Sequence, residues 1–111
     1  MAAKFELKKA AGDQFMFNLK AGNGQIILTS ETYKAKASAL NGIESVKKNS
    51  VIEDRFERKE TSTGQPFFVL KAGNGEIVGK SETYSSPSAM ENGISSVMEN
   101  AAKAEIDDET L

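Results

Sequence analysis

The chain has 111 residues, 27% of them charged and 39% apolar, with a formal net charge of −2; this is the profile of a globular protein the size of one ordinary domain. It holds no Cys and no His, which excludes a disulfide framework, a Cys nucleophile, a Ser-His-Asp triad and a His-liganded zinc site. No apolar run approaches the ~20 residues of a membrane span, and the opening Met1-Ala2-Ala3-Lys4 lacks the apolar segment of a signal peptide, so a cytoplasmic protein with no membrane partner is expected.

In chain order, Phe5 and Leu7 alternate with polar neighbours, as do Phe15, Phe17 and Leu19, and then Ile26 and Leu28; period-two alternation marks half-buried strands. The first two runs are separated by the turn-like Ala11-Gly12-Asp13, and the last two by Lys20-Ala21-Gly22-Asn23-Gly24. Asn and Gly tolerate the positive φ of tight hairpins, so the segment reads as a three-stranded meander. After Tyr33 the period changes: Ala39, Ile43 and Val46 are spaced i, i+4, i+7, an amphipathic helix over roughly 36–49. Val51-Ile52 is then expected to add a short strand.

The same series returns with a constant offset of 51. Phe56, Phe68 and Leu70, the turn-like Thr61-Ser62-Thr63-Gly64, Lys71 to Gly75, Ser81-Glu82-Thr83-Tyr84, and the stripe Met90, Ile94, Val97 repeat the first series, and 22 of 46 aligned pairs between 4–49 and 55–100 are identical without a gap. The second helix, roughly 87–101, carries a start signal in Ser86-Pro87, with Ser as N-cap and Pro at the first helical position. Gly42 and Gly93 fall mid-helix, where Gly costs ~1 kcal/mol against Ala; their recurrence implies a close approach of helix to sheet. Ala104 to Ile106 is expected to form a last strand. Each unit alone buries one sheet face and leaves open edges, so the two should join edge to edge. The fold expected is α+β: a tandem duplication of a β3-α-β unit, forming one pseudo-twofold antiparallel sheet with two helices on one face. It makes a single domain over 1–111, with repeat 1 at about 4–53, repeat 2 at about 55–106 and an acidic C-terminal tail at 107–111. Charge divides unevenly, +4 over residues 1–52 and −6 over 53–111, and the tail reads as a solvated terminus that frays.

These residues resemble a known group. Phe5, Phe17 to Lys20, Asn23-Gly24, Ser30 to Tyr33, Gly42-Ile43 with Val46, and Asn49, all repeated in the second half through Asn100, look like the YegP-like family of small bacterial proteins. The resemblance implies paired β3-α-β units in one sheet that exchange their C-terminal strands; it implies no established activity.

Three features are candidate sites. The glycine-rich Lys20–Gly24 and Lys71–Gly75 segments have backbone N–H groups able to face an anion. A phosphate loop, however, sets its glycines between strand and helix with Lys after them, so a hairpin is the plainer reading. The Ser-Glu-Thr-Tyr segments offer Glu31/Tyr33 and Glu82/Tyr84 as a ligand-binding or acid–base pair. The plainer reading there packs Tyr under the helix, while Ser and Glu satisfy donors near its N-terminus. Third, if Phe17, Leu19 and Ile26 face the helices, alternation sends Met16, Asn18 and Ile27 to the other face, and in the second copy Phe67, Val69 and Val78. That second set is apolar where an open sheet face is usually polar, the mark of an interaction surface. The reading is a non-catalytic interaction module that uses Phe67, Val69, Val78, Met16 and Ile27 toward a protein partner or a second copy. The alternative is a small ligand-binding protein or enzyme using the Glu/Tyr pairs. No catalytic residue, metal or cofactor is assigned, and one outward aromatic on an acidic half makes nucleic acid a poor match.

Overall fold

The computed structural model describes residues 2–111. Among these residues seven strands and two α-helices follow one another in the order β1 (Lys4–Ala10), β2 (Gln14–Lys20), β3 (Ile26–Thr29), α1 (Lys36–Asn49), β4 (Phe56–Glu60), β5 (Pro66–Lys71), β6 (Ile77–Lys80), α2 (Pro87–Asn100) and β7 (Glu105–Asp108). All seven strands form one sheet in the order β4-β5-β6-β3-β2-β1-β7. The halves join through β3 and β6, where Thr29 pairs with Lys80, residues separated by the 51 positions that relate the two series. The Asn-Gly segments are hairpin turns: the Gly24 and Gly75 amides donate to the carbonyls of Ala21 and Ala72, and both glycines have positive φ.

The helix stripes pack where the periodicity puts them. Ile43, Val46 and Val97 are fully buried with Phe5, Leu7, Phe17, Leu19, Phe68 and Leu70. Within each half the aromatics form the same arrangement. Phe5 meets Phe17 edge-on at 5.8 Å and Phe17 stacks on Tyr33 at 6.3 Å; Phe56, Phe68 and Tyr84 repeat it at 5.7 and 6.2 Å. Edge-on and offset contacts of this kind suit the ring quadrupoles and hold the strands to the loop beneath each helix. Ser86 caps α2 through its side chain, which accepts from the Ala89 amide at 3.1 Å. α1 is preceded by Ala35, which offers no side-chain cap.

Four expectations are corrected. The sheet is mixed, because β7 pairs in parallel with β1, Phe5 opposite Ile106. Val51-Ile52 is not a strand: the chain turns there, leaving Val51 56% and Ile52 37% exposed, because it must lead straight into β4 at the far edge of the sheet. The acidic C-terminus does not fray. Asp107 pairs with Lys4 and Asp108 with Lys36, and the Glu109 amide donates to the Leu7 carbonyl; charge complementarity with the basic first half draws it in. Finally, Ile27 and Val78 do not face outward. Leu19 pairs with Leu28 but Lys20 pairs with Ile26, and Leu70 pairs with Gly79 but Lys71 with Ile77. Each strand therefore carries one extra residue, a bulge. That residue, Ile27 or Val78, turns into the core, and Ile26 or Ile77 takes the outward side in its place.

Candidate functional site

The outer face of the sheet, opposite the helices, is built by alternation from Glu6, Met16, Asn18, Lys20, Ile26 and Thr29 in the first half and Glu57, Phe67, Val69, Lys71, Ile77 and Lys80 in the second. The first-half side is more polar, with Met16 and Ile26 its apolar members, and one Glu6 oxygen, Oε1, has no hydrogen-bond partner among the described residues. Thr29 Oγ1 donates to Asn18 Oδ1 at 2.9 Å, and Lys20 lies 2.9 Å from the Glu6 carboxylate. The Glu6, Asp107 and Glu109 carboxylates come within 4.8 Å of one another, but Lys4, Lys8 and Lys20 supply the positive charge around them.

The second-half side is different. Val69 is 2% exposed and forms, with Ile77, the apolar floor of a cleft of about 260 Å³. Thr29, Lys80, Glu31 and Glu82 rim that cleft, so both halves contribute to it. Beside it, Lys80 Nζ sits 5.1 Å from the centre of the Phe67 ring, a cation–π contact that holds both side chains over the sheet. Phe67 and Met16 are half-buried. Of the outward residues expected from sequence, Phe67, Val69, Met16 and Asn18 are on this face; Ile27 and Val78 are core. Ile77 belongs to the cleft and escaped the sequence reading, because a bulge leaves no trace in simple alternation.

The Ser-Glu-Thr-Tyr segments are split by the fold. Glu31 and Glu82 rim the cleft, whereas Tyr33 and Tyr84 lie beneath the helices, against Gly42 and Gly93. Burial pushes both phenols above their ordinary pKa, helped by Glu31 beside Tyr33 and Glu82 beside Tyr84. A phenol shifted upward is a weaker acid; Glu82 and Tyr84 both line the cleft beside α2, whereas Glu31 lines the outer cleft without Tyr33, so the two segments do not repeat one acid–base arrangement. Ser30 and Ser81 serve the strands, not the helices: each hydroxyl accepts from the Phe17 or Phe68 amide at 2.9 Å and donates to the following carbonyl, of Glu31 or Glu82. No helix among the described residues is long and apolar enough to cross a membrane.

Comparison with known proteins gives the family. The family model described as "Domain of unknown function (DUF1508)" matches twice, over residues 10–57 and 62–108. The chain is 56% identical over 110 residues to a UPF0339 protein of Pseudomonas aeruginosa, covering 99% of this chain and all of that one. It is 54% identical over 107 residues to the UPF0339 protein YegP of Yersinia pestis, covering 96% of each. Two solution NMR structures share the fold. A UPF0339 protein of Shewanella oneidensis superposes with a TM-score of 0.91 at 52% identity, over 97% of this chain and 92% of that one. The yegP protein of Escherichia coli, described as of unknown function, gives 0.92 at 48% identity, over 98% and 94%. With matching residues along nearly the whole chain and the same mixed sheet and helices, the protein belongs to the UPF0339, YegP-like family.

Proposed function

We propose that the protein is a cytoplasmic, non-catalytic binding module, made by tandem duplication, that grips an apolar side chain of a partner protein in the outer-face cleft over Val69 and Ile77. The duplication is supported by the pairing of Thr29 with its counterpart Lys80 and by the two matches of one domain model. The single observation that carries the binding reading is the cleft itself: an apolar floor on the open sheet face, rimmed by Lys80, Glu31 and Glu82. Apolar floors with charged rims favour a buried anchor residue with polar contacts around it. The missing His and Cys, and a cleft lined by Glu31 and Glu82 but by neither tyrosine, argue against a reaction at this place.

The test is a photo-crosslinking amino acid at position 77, with the exposed Ser62 position as control, in cells of the native host. The expectation is a discrete protein adduct at 77 that is absent at 62 and is lost when Lys80→Glu reverses the rim charge. Equal labelling at both positions would reject the cleft as a docking site.

A further inference from the structure

Beyond the core, the two halves share a second set of residues whose retention packing does not explain. Asn41, Ser45 and Asn49 recur as Asn92, Ser96 and Asn100, four residues apart, so each set forms one polar stripe along its helix. In both helices the last Asn amide donates to the Ser four residues earlier, at its carbonyl and its hydroxyl. The first Asn of each stripe makes no side-chain hydrogen bond among the described residues and is exposed. The stripes face clefts that cross the halves: Asn41 and Ser45 of α1 look onto Ala72, Gly73 and Asn74 of the second hairpin, and Asn92 and Ser96 of α2 onto Ala21 and Asn23 of the first.

The two clefts differ in charge. The α1 cleft, about 490 Å³, is also lined by Lys48 and Arg55, with Glu44 its one carboxylate. The α2 cleft is lined by no basic residue, and Glu99 and Ile106 stand at the positions equivalent to Lys48 and Arg55. Arg55 is half-buried, and its guanidinium lies over Gly73, where a Cβ would come within 2.7 Å of Nη1. The other arginine, Arg58, is held by Glu53 and Glu91; Arg55 and Lys48 make no ion pair among the described residues. A half-buried guanidinium without a carboxylate, beside an ammonium and a row of neutral amide and hydroxyl groups, is the chemistry that receives a phosphate joined to a hydroxyl-bearing body.

We infer that the α1 cleft binds a small phosphorylated polyol, its phosphate on Arg55 and Lys48 and its hydroxyls on Asn41, Ser45 and Asn74. The hairpin contributes a wall and Asn74, not a phosphate loop. The α2 cleft, with the same stripe and no cations, is a control within the molecule.

The experiment is an NMR titration of the full chain with ribose 5-phosphate, and separately with ribose and with inorganic phosphate. Saturable shifts are expected at the Ser45, Gly73 and Asn74 amides, with those of Ser96 and Asn23 unmoved. Arg55→Gln, and independently Lys48→Gln, should each weaken binding about tenfold or more, the usual effect of losing a charge-assisted hydrogen bond. Ribose should bind the parent protein at least as weakly as the sugar phosphate binds these variants. Shifts that do not saturate, that appear equally in both clefts, or that survive unchanged in a folded Arg55→Gln or Lys48→Gln protein would overturn the assignment; so would equal affinity for inorganic phosphate, which leaves the polar stripe no role.

Discussion

At the scale of single residues, the mid-helix glycines show why a locally unfavourable choice recurs. A Cβ at Gly42 would lie 2.9 Å from Tyr33 Cζ and 3.0 Å from Phe17 Cε2, and at Gly93 2.7 Å from Tyr84 Cζ. Both tyrosine rings are stacked on a buried Phe, which limits how far they can shift. Helix propensity favours Ala by ~1 kcal/mol, whereas overpacking costs ~1–3 kcal/mol, so packing should win. Gly42→Ala and Gly93→Ala are each expected to lower stability by ~1–2 kcal/mol in urea unfolding. Adding Tyr84→Phe to Gly93→Ala should recover part of the loss, because the hydroxyl is the atom nearest the new methyl. An alanine variant as stable as the parent would show that the helix, not the glycine, sets the spacing. Gly64 at +83°, like Gly24 at +85° and Gly75 at +86°, meets no neighbouring atom; there the backbone conformation itself requires glycine.

At the scale of elements, the two edges of the sheet explain most of what the sequence did and did not disclose. The strands, both helices and their inward faces were legible because period-two and period-3.6 patterns are local. The fate of the C-terminus was not, since Glu105–Asp108 has no strand signal of its own and is held by groups about a hundred residues away, Lys4 and Leu7. Its consequence can be read in the side chains. Next to β7, copy one has Leu7 in the core and Leu40 packed against that core; on the uncovered β4 edge the equivalent positions are Arg58 and Glu91, paired at 2.5 Å. Charges on an open edge discourage pairing with a stray strand. The hold on β7 is also electrostatic. Lys36 first, then Thr110, lowers the Asp108 carboxyl to about 2. Its folded value lies below the unfolded one, so its contribution is full above the ordinary carboxyl range and disappears only as pH falls through about 2. Glu109 is raised, by desolvation and then by Glu6, so its effect has the opposite sign: stability present below the unfolded value is lost as pH rises through the folded one. At pH 7, therefore, Asp108→Asn should speed hydrogen exchange of the β7 amides and Glu109→Gln should slow it. The same direction of change in both variants would mean that charge does not govern this strand.

At the scale of the whole molecule, the halves are interlocked well beyond their one paired position. α1 packs on β2 and also on β5 and β6, α2 packs on β5 and also on β3, and β7 closes over β1. Leu28 of the first half sits over Gly79 of the second, where a Cβ would be 2.5 Å away. A fragment of residues 1–53 would keep its meander and helix but lose the cover over Leu7, the Gly79 surface beneath Leu28 and the strands under half of α1. Chains of this size bury only about 60% of their surface even when compact, which leaves little to offset backbone entropy of ~1–2 kcal/mol per residue. The fragment should therefore be unfolded by far-UV circular dichroism, or should recover the missing surfaces by pairing with a second fragment through β3. In the second case its fold should melt on dilution, because stability then depends on concentration. The full chain, sharing one core, should unfold in a single transition whether followed by circular dichroism or by tyrosine fluorescence. A monomeric 1–53 with a dispersed amide spectrum would contradict the shared core and make each half a domain of its own.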